Sequence, residues 1–209
     1  MTKPAFEPLE FLYFDLGKVL VDFDHEQAVR QLAELTGRST DQVREVVFQS
    51  ELQARYECGQ LDTAEFCQRF RDATQTDDSD ADICRAASDI FSLNQPVCSL
   101  VRRLNQSDIR IGILSNTCDA HWSHIVAKFP DLIQLFDPLI LSYEVGAAKP
   151  DPKIYQAAIE RAGVAPERIF FVDDLLANVQ GALSSGLNAV HYVSCEQLQE
   201  DLAIRGVWD

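Results

Sequence analysis

Phe11-Leu12-Tyr13-Phe14-Asp15-Leu16-Gly17-Lys18-Val19-Leu20 is a run of apolar residues broken by one carboxylate and then a glycine. An apolar run this short, rich in aromatics and without polar alternation, reads as a strand buried on both faces, the kind found inside a parallel sheet. Asp15 then stands at its C-terminal end. Open α/β sheets bind ligands at that end, and an ionised carboxylate there needs a cation or hydrogen-bond donors to offset its desolvation. Asp15 is therefore the first candidate for chemistry.

Beyond this strand, residues 22–94 show four helical stretches and no strand pattern. Ala28, Val29, Leu32, Ala33 and Leu35 recur at helical spacing and stop at Gly37. A second stretch opens on the capping-box run Ser39-Thr40-Asp41-Gln42 and is broken by Tyr56-Glu57-Cys58-Gly59-Gln60-Leu61. Asp62 with Glu65 opens a third, and a fourth carries Ile83, Ala86, Ala87, Ile90 and Phe91. From Pro96 strands and helices alternate. Apolar strands are expected at 109–114, 138–141, 169–172 and 189–193, and Asp151, Pro152 and Gly163 mark both ends of one intervening helix. The fold expected is α/β: a Rossmann-like parallel sheet of about five strands from residues 1–21 and 95–209, with a four-helix cap inserted at 22–94.

The 209 residues carry a formal net charge of -15, which repels nucleic-acid backbones and anionic lipid, so neither is an expected partner. A small anionic substrate would need a local cation. No apolar stretch approaches a membrane span, and Met1 to Glu10 lacks the features of a signal peptide, so a cytoplasmic protein is expected. The six cysteines show no CxxC pairing and read as reduced core thiols.

Four features fall at strand or helix ends: Asp15, Ser115, Lys149 and the pair Asp173-Asp174. Carboxylates from separate strands make a hard oxygen site suited to Mg²⁺; a hydroxyl at a helix N-terminus holds phosphate oxygens; a lysine neutralises remaining anionic charge. Singly, Ser115 reads equally well as a helix cap and Lys149 as a solvated surface residue. The set of four carries the inference.

The motifs Phe14-Asp15-Leu16-Gly17-Lys18-Val19, Ile113-Leu114-Ser115-Asn116-Thr117, Ala148-Lys149-Pro150-Asp151 and Phe171-Val172-Asp173-Asp174, in that order, resemble those of the haloacid dehalogenase superfamily. The resemblance spans nearly the whole chain, including the helical insert and its segment Tyr56-Glu57-Cys58-Gly59. It implies a hydrolase with a Mg²⁺ cofactor, a small phosphorylated substrate and an aspartyl-phosphate route. By it, Asp15 is the nucleophile and a metal ligand, with the Gly17 carbonyl and Asp174 as further ligands. Ser115, Asn116 and Lys149 hold the phosphoryl group, and Asp173 and Asn178 support the metal. Apart from the resemblance, Phe23, Glu57, Cys58 and Gly59 are the candidates for lining the substrate side.

Gly17 departs from the phosphatase pattern, which has a second aspartate there as general acid and base. One branch, resembling bacterial glucose 1-phosphate phosphatases, also has glycine at this position. A core without that acid suits leaving groups that depart without much protonation, such as anomeric sugar phosphates. Two other readings stay open: a metal-free 2-haloacid dehalogenase, and a binding protein that kept the fold and lost turnover. Asp22, Asp24, His25 and His121 follow catalytic strands closely enough to be alternative proton donors. Against that, Asp22 and Asp24 read as a hinge turn and N-cap, His121 and His124 as surface histidines, and His191 as structural. Trp122 and Trp208 read as packing residues, and Asp77 to Asp82 as a solvated helix start rather than a calcium loop.

Overall fold

The computed structural model describes residues 8–207, so Trp208 lies outside the described residues. The chain runs β1 (Phe11–Phe14), β2 (Val21–Phe23), α1 (His25–Thr36), α2 (Thr40–Arg44), a π-helical segment (Glu45–Gln49), α3 (Leu52–Glu57), α4 (Thr63–Thr74), α5 (Asp80–Ser88) and β3 (Phe91–Leu93). It continues through α6 (Gln95–Leu104), β4 (Arg110–Ser115), α7 (Asp119–Lys128), α8 (Pro130–Ile133), β5 (Leu139–Leu141), α9 (Ser142–Val145) and α10 (Pro152–Ala162). A 3-10 turn (Pro166–Arg168), β6 (Ile169–Asp173), α11 (Leu176–Ser184), β7 (Asn188–His191) and α12 (Cys195–Ile204) complete it.

The main sheet has five parallel strands in the order β5-β4-β1-β6-β7. β1 lies at its centre with all four residues fully buried. The alternation along a strand explains why its sequence is apolar throughout. Phe11 and Tyr13 enter one hydrophobic layer with Tyr155 and Phe171, while Leu12 and Phe14 enter the opposite layer with Val101 and Leu198. Tyr13 also donates a 2.9 Å hydrogen bond to the Ala158 carbonyl, which accounts for a phenol inside an apolar layer. Gly112 on β4 is required by this packing, because a Cβ there would lie 2.6 Å from the Pro138 carbonyl oxygen and 2.7 Å from the Tyr13 ring.

The helices between β2 and β3 pack around a separate cluster that includes Leu32, Val43, Tyr56, Phe66 and Phe70. The two capping boxes form, at Ser39 with Gln42 and at Asp62 with Glu65. The second helical stretch is delivered in pieces: it widens into the π segment, stops at Ser50 and restarts after Glu51, whose φ of 62° is left-handed. Within Tyr56 to Leu61 the helix persists through Glu57, because Tyr56 is buried and stacks on Phe66 at 4.7 Å. The turn is confined to Cys58 to Leu61.

Strands were not expected within residues 22–94, yet β2 and β3 form a two-stranded antiparallel ribbon pairing Val21 with Leu93 and Phe23 with Phe91. Three-residue strands of mixed burial show no periodicity, and the partner lies about 70 residues away in sequence. Asp24 caps α1 by accepting from the Glu26 amide, and Ser79 caps α5 with Asp80 and Asp82 in its first turn. Among the described residues no helix is long and apolar enough to cross a membrane.

Candidate active site

The parallel register levels the strand ends. Phe14 is flanked by Ile113 on β4 and Val172 on β6, so Asp15, Ser115 and Asp173 emerge together at the C-terminal edge. The Asp15 amide still donates to the Val172 carbonyl at 2.9 Å, which fixes its backbone as the last rung of the ladder.

Lys149 binds this edge together. Its fully buried Nζ lies 2.8 Å from Asp15 Oδ1, 2.6 Å from Asp173 Oδ2 and 2.9 Å from the Leu114 carbonyl oxygen, which accounts for all three ammonium protons. Burial pulls the ammonium down, but Asp15 and Asp173 outweigh it and hold its pKa above the usual lysine value. Asp173 is saturated: besides Lys149 it accepts from the Leu175 amide at 2.8 Å and from Asn178 Nδ2 at 3.0 and 3.1 Å. Asn178 is held in turn by Tyr155, whose hydroxyl donates to the Asn178 carbonyl at 2.7 Å.

Asp15 and Asp174 are placed differently. Asp15 is 8% exposed, accepts from the Leu16 amide at 2.7 Å, and has its pKa pushed up to about 7 by burial, with Lys149 opposing and Asp173 adding to the rise. Asp174 is raised by burial and by Asp173. Its main-chain oxygen meets His191 Nε2 at 2.8 Å, so His191 braces the loop.

Oxygens of Asp15, Asp173 and Asp174 lie within 4.8 Å of one another. With all three ionised, three carboxylates against one ammonium leave two negative charges, and two like charges 5 Å apart at an effective dielectric of 20 repel by about 3 kcal/mol, in line with the raised pKa of Asp15. A divalent cation bound to Asp15 and Asp174 would cancel that excess, and the hard oxygen donors suit a small hard ion. The residues present fit such an ion.

Ser115 is buried at the same edge, with only a long 3.3 Å contact to the Asn116 carbonyl occupying its hydroxyl. Asn116, expected at the phosphoryl group, spends its side chain on Lys149: its Nδ2 donates to the Lys149 carbonyl at 3.0 Å, and its Oδ1 accepts from the Lys149 amide at 2.7 Å. Both polar ends are used to seat the lysine.

Between the strand ends and the helical insert lies a small cavity lined by Gly17, Phe23, Glu57, Ser115, Asn116 and His121, among others. Phe23 fills the space above Gly17: a Cβ at position 17 would sit 2.8 Å from Phe23 Cε1. Lys18, at φ 59°, places its ammonium 4.5 Å over the same ring. Gly59, expected at the substrate, is not on this cavity. It packs on the core instead, where a Cβ would meet the Tyr143 carbonyl oxygen at 2.2 Å.

Sequence reasoning placed His121 on the surface, whereas it faces this cavity, packed edge-on to Phe91 at 5.3 Å, and His25 joins it between Phe23 and Phe48. Burial, reinforced by His25, lowers the His121 pKa to about 4, so the imidazole is neutral near pH 7. Ser142 gave no signal in the sequence. Fully buried, it accepts from the Thr117 amide at 2.9 Å and donates to the Glu57 carbonyl at 2.6 Å, tying cap to core.

Comparison with known proteins gives the family. The chain is 27% identical over 177 residues to a D-ribitol-5-phosphate phosphatase of Bacteroides thetaiotaomicron, covering 80% of this chain and 84% of that one. It is 35% identical over 81 residues to phosphatase MT3486 of Mycobacterium tuberculosis, a match to 39% of this chain that spans only 37% of the length of that relative. A haloacid dehalogenase family enzyme from B. thetaiotaomicron, solved in complex with magnesium and inorganic phosphate, superposes with a TM-score of 0.78 at 27% identity over 88% of this chain and 94% of its own. A family model for haloacid dehalogenase-like hydrolases matches residues 12–186, and the chain belongs to that family of hydrolases.

Proposed function

We propose that this chain is a Mg²⁺-dependent phosphomonoesterase that acts through a phosphoryl group carried on Asp15, on small phosphorylated metabolites of the sugar-phosphate class. The observation that carries this reading is the convergence of Asp15, Lys149, Asp173 and Asp174 at one sheet edge, with Lys149 shared between two of the acids.

Asp15 Oδ1 is committed to Lys149 and the Leu16 amide, which leaves Oδ2 to attack phosphorus. Lys149 offers positive charge to the transferring oxygens, and Ser115 offers a hydroxyl. Asp173 and Asn178 keep the lysine in place. Mg²⁺, held by Asp15, Asp174 and the Gly17 carbonyl, would supply charge neutralisation at the phosphoryl oxygens. Displacement of the phosphoryl group from Asp15 by water returns the carboxylate.

The sugar-phosphate assignment draws on the D-ribitol-5-phosphate phosphatase relative, on the small cavity and on a net charge that disfavours polyanions. A metal-free dehalogenase is disfavoured by the same arithmetic of charge, since a substrate carboxylate would enter beside three acids and one lysine. The test is phosphate release over sugar phosphates, nucleotides and phosphorylated acids. Turnover is expected with Mg²⁺ and not with EDTA, and Asp15→Asn is expected to abolish it. Full activity in EDTA, or in Asp15→Asn, would overturn the reading.

A further inference from the structure

Phosphoester cleavage by this site, taken as the reaction proposed above, leaves one demand unmet. The oxygen that departs from phosphorus needs a proton unless it is a weak base. Position 17 cannot supply it, and the Phe23 ring stands where a side chain there would go. The proton must come from another group on the cavity.

Three titratable side chains among the described residues line that cavity: His25, His121 and Glu57. Both imidazoles are poor donors. Burial lowers the pKa of each, so near pH 7 they are neutral and form an aromatic wall with Phe23 and Phe91. Glu57 is the one carboxyl group facing Gly17, Ser115 and Asn116 from the cap side.

Its position is fixed from two directions. The Ser142 hydroxyl clamps its carbonyl, and two residues on, Gly59 lies so close to the Tyr143 backbone that no larger residue fits. Gln53 Nε2 donates to one of its carboxyl oxygens at 2.8 Å, which orients the group. We propose that Glu57 is the catalytic acid and base of this enzyme, delivered to the reaction by the cap. Burial supports this by raising the carboxyl group above the ordinary carboxylate range, with Gln53 opposing.

In the first step the bond from Asp15 Oδ2 to phosphorus forms as the bond from phosphorus to the ester oxygen breaks. The released electron pair takes the Glu57 proton, giving an alcohol and a Glu57 carboxylate. In the second step a water oxygen bonds to phosphorus, the Asp15–phosphorus link breaks with its electrons returning to Asp15, and Glu57 recovers its proton from that water. The sum is ester plus water to alcohol plus phosphate.

The experiment compares wild type, Glu57→Gln and Glu57→Asp with Mg²⁺ on a series of esters, from p-nitrophenyl phosphate to alkyl phosphates such as glycerol phosphate. Glu57→Gln keeps the main-chain clamp and the Gln53 contact. Its loss of kcat/KM is expected to grow with the basicity of the leaving oxygen, reaching roughly 10²–10⁴ for alkyl esters and staying under about tenfold for the aryl ester. Glu57→Asp, which retains an acid, is expected to recover part of the alkyl-ester loss. An equal loss on all esters marks a structural role and overturns the assignment, as does undiminished alkyl-ester turnover. A wild-type protein silent toward every ester overturns the phosphatase reading itself, and this assignment falls with it.

Discussion

The charged sheet edge and the cavity beside it are built on opposite plans. On the core side, charged groups are immobilised by one another: Lys149 has every proton assigned, and Asp173 receives four hydrogen bonds from three partners. Around the cavity, the rings of Phe23, His25 and Phe91 from the insert and of His121 from α7 of the core share the lining with Glu57. The sheet edge holds a charge pattern that cannot shift without leaving a buried ion uncompensated. The cavity wall is made of neutral rings whose contacts are individually modest. Fixed electrostatics belong to the sheet edge, and the cavity wall is shared between the insert and α7.

The sharpest way to break this contrast is Lys149→Met, which removes the cation shared by Asp15 and Asp173. The loss is expected to be about 3–5 kcal/mol in urea unfolding, together with phosphate release. On the cap side, Gly59→Ala forces a Cβ into the Tyr143 carbonyl at a φ of 65°. A loss of roughly 2–3 kcal/mol is expected from strain and undocking, accompanied by a rise in KM. His121→Asn addresses the neutral wall. The unfolded chain protonates this histidine near 6.5 and the folded one near 4, so wild-type stability falls as pH drops between those values. The variant is expected to lose that part of the dependence, just under about 3 kcal/mol, in melts taken at pH 4 and pH 7. Smallest is Gly17→Ala, at roughly 1–2 kcal/mol, because only the Phe23 ring must move. A double-mutant cycle with Phe23→Ala should show favourable coupling between the two changes.

Much of the core side was legible in the sequence because each acid follows a fully apolar strand, and a parallel sheet brings such ends together. What escaped depends on contacts distant in the chain. The Asn116 side chain seats Lys149, 33 residues on, and this is one such contact. Ser142 joins Thr117 to Glu57, 85 residues back, and a lone serine after a short strand announces none of this. His121 sits on a helix of weak amphipathic character, so nothing in its neighbours foretold that α5 and Phe91 would cover it. Gly59 carried a turn signal, and only the packed structure tells which surface it touches.

The ribbon of β2 and β3 has a consequence for how the molecule could be remade. Because outgoing and returning chains are hydrogen-bonded neighbours, about 5 Å apart, the chain between Phe23 and Phe91 leaves and re-enters at adjacent points. A different helical bundle with neighbouring termini could be spliced onto them without disturbing any rung of the main sheet. Selectivity could thus be transplanted by exchanging one continuous piece of sequence, provided the graft brings its own acid to face Gly17.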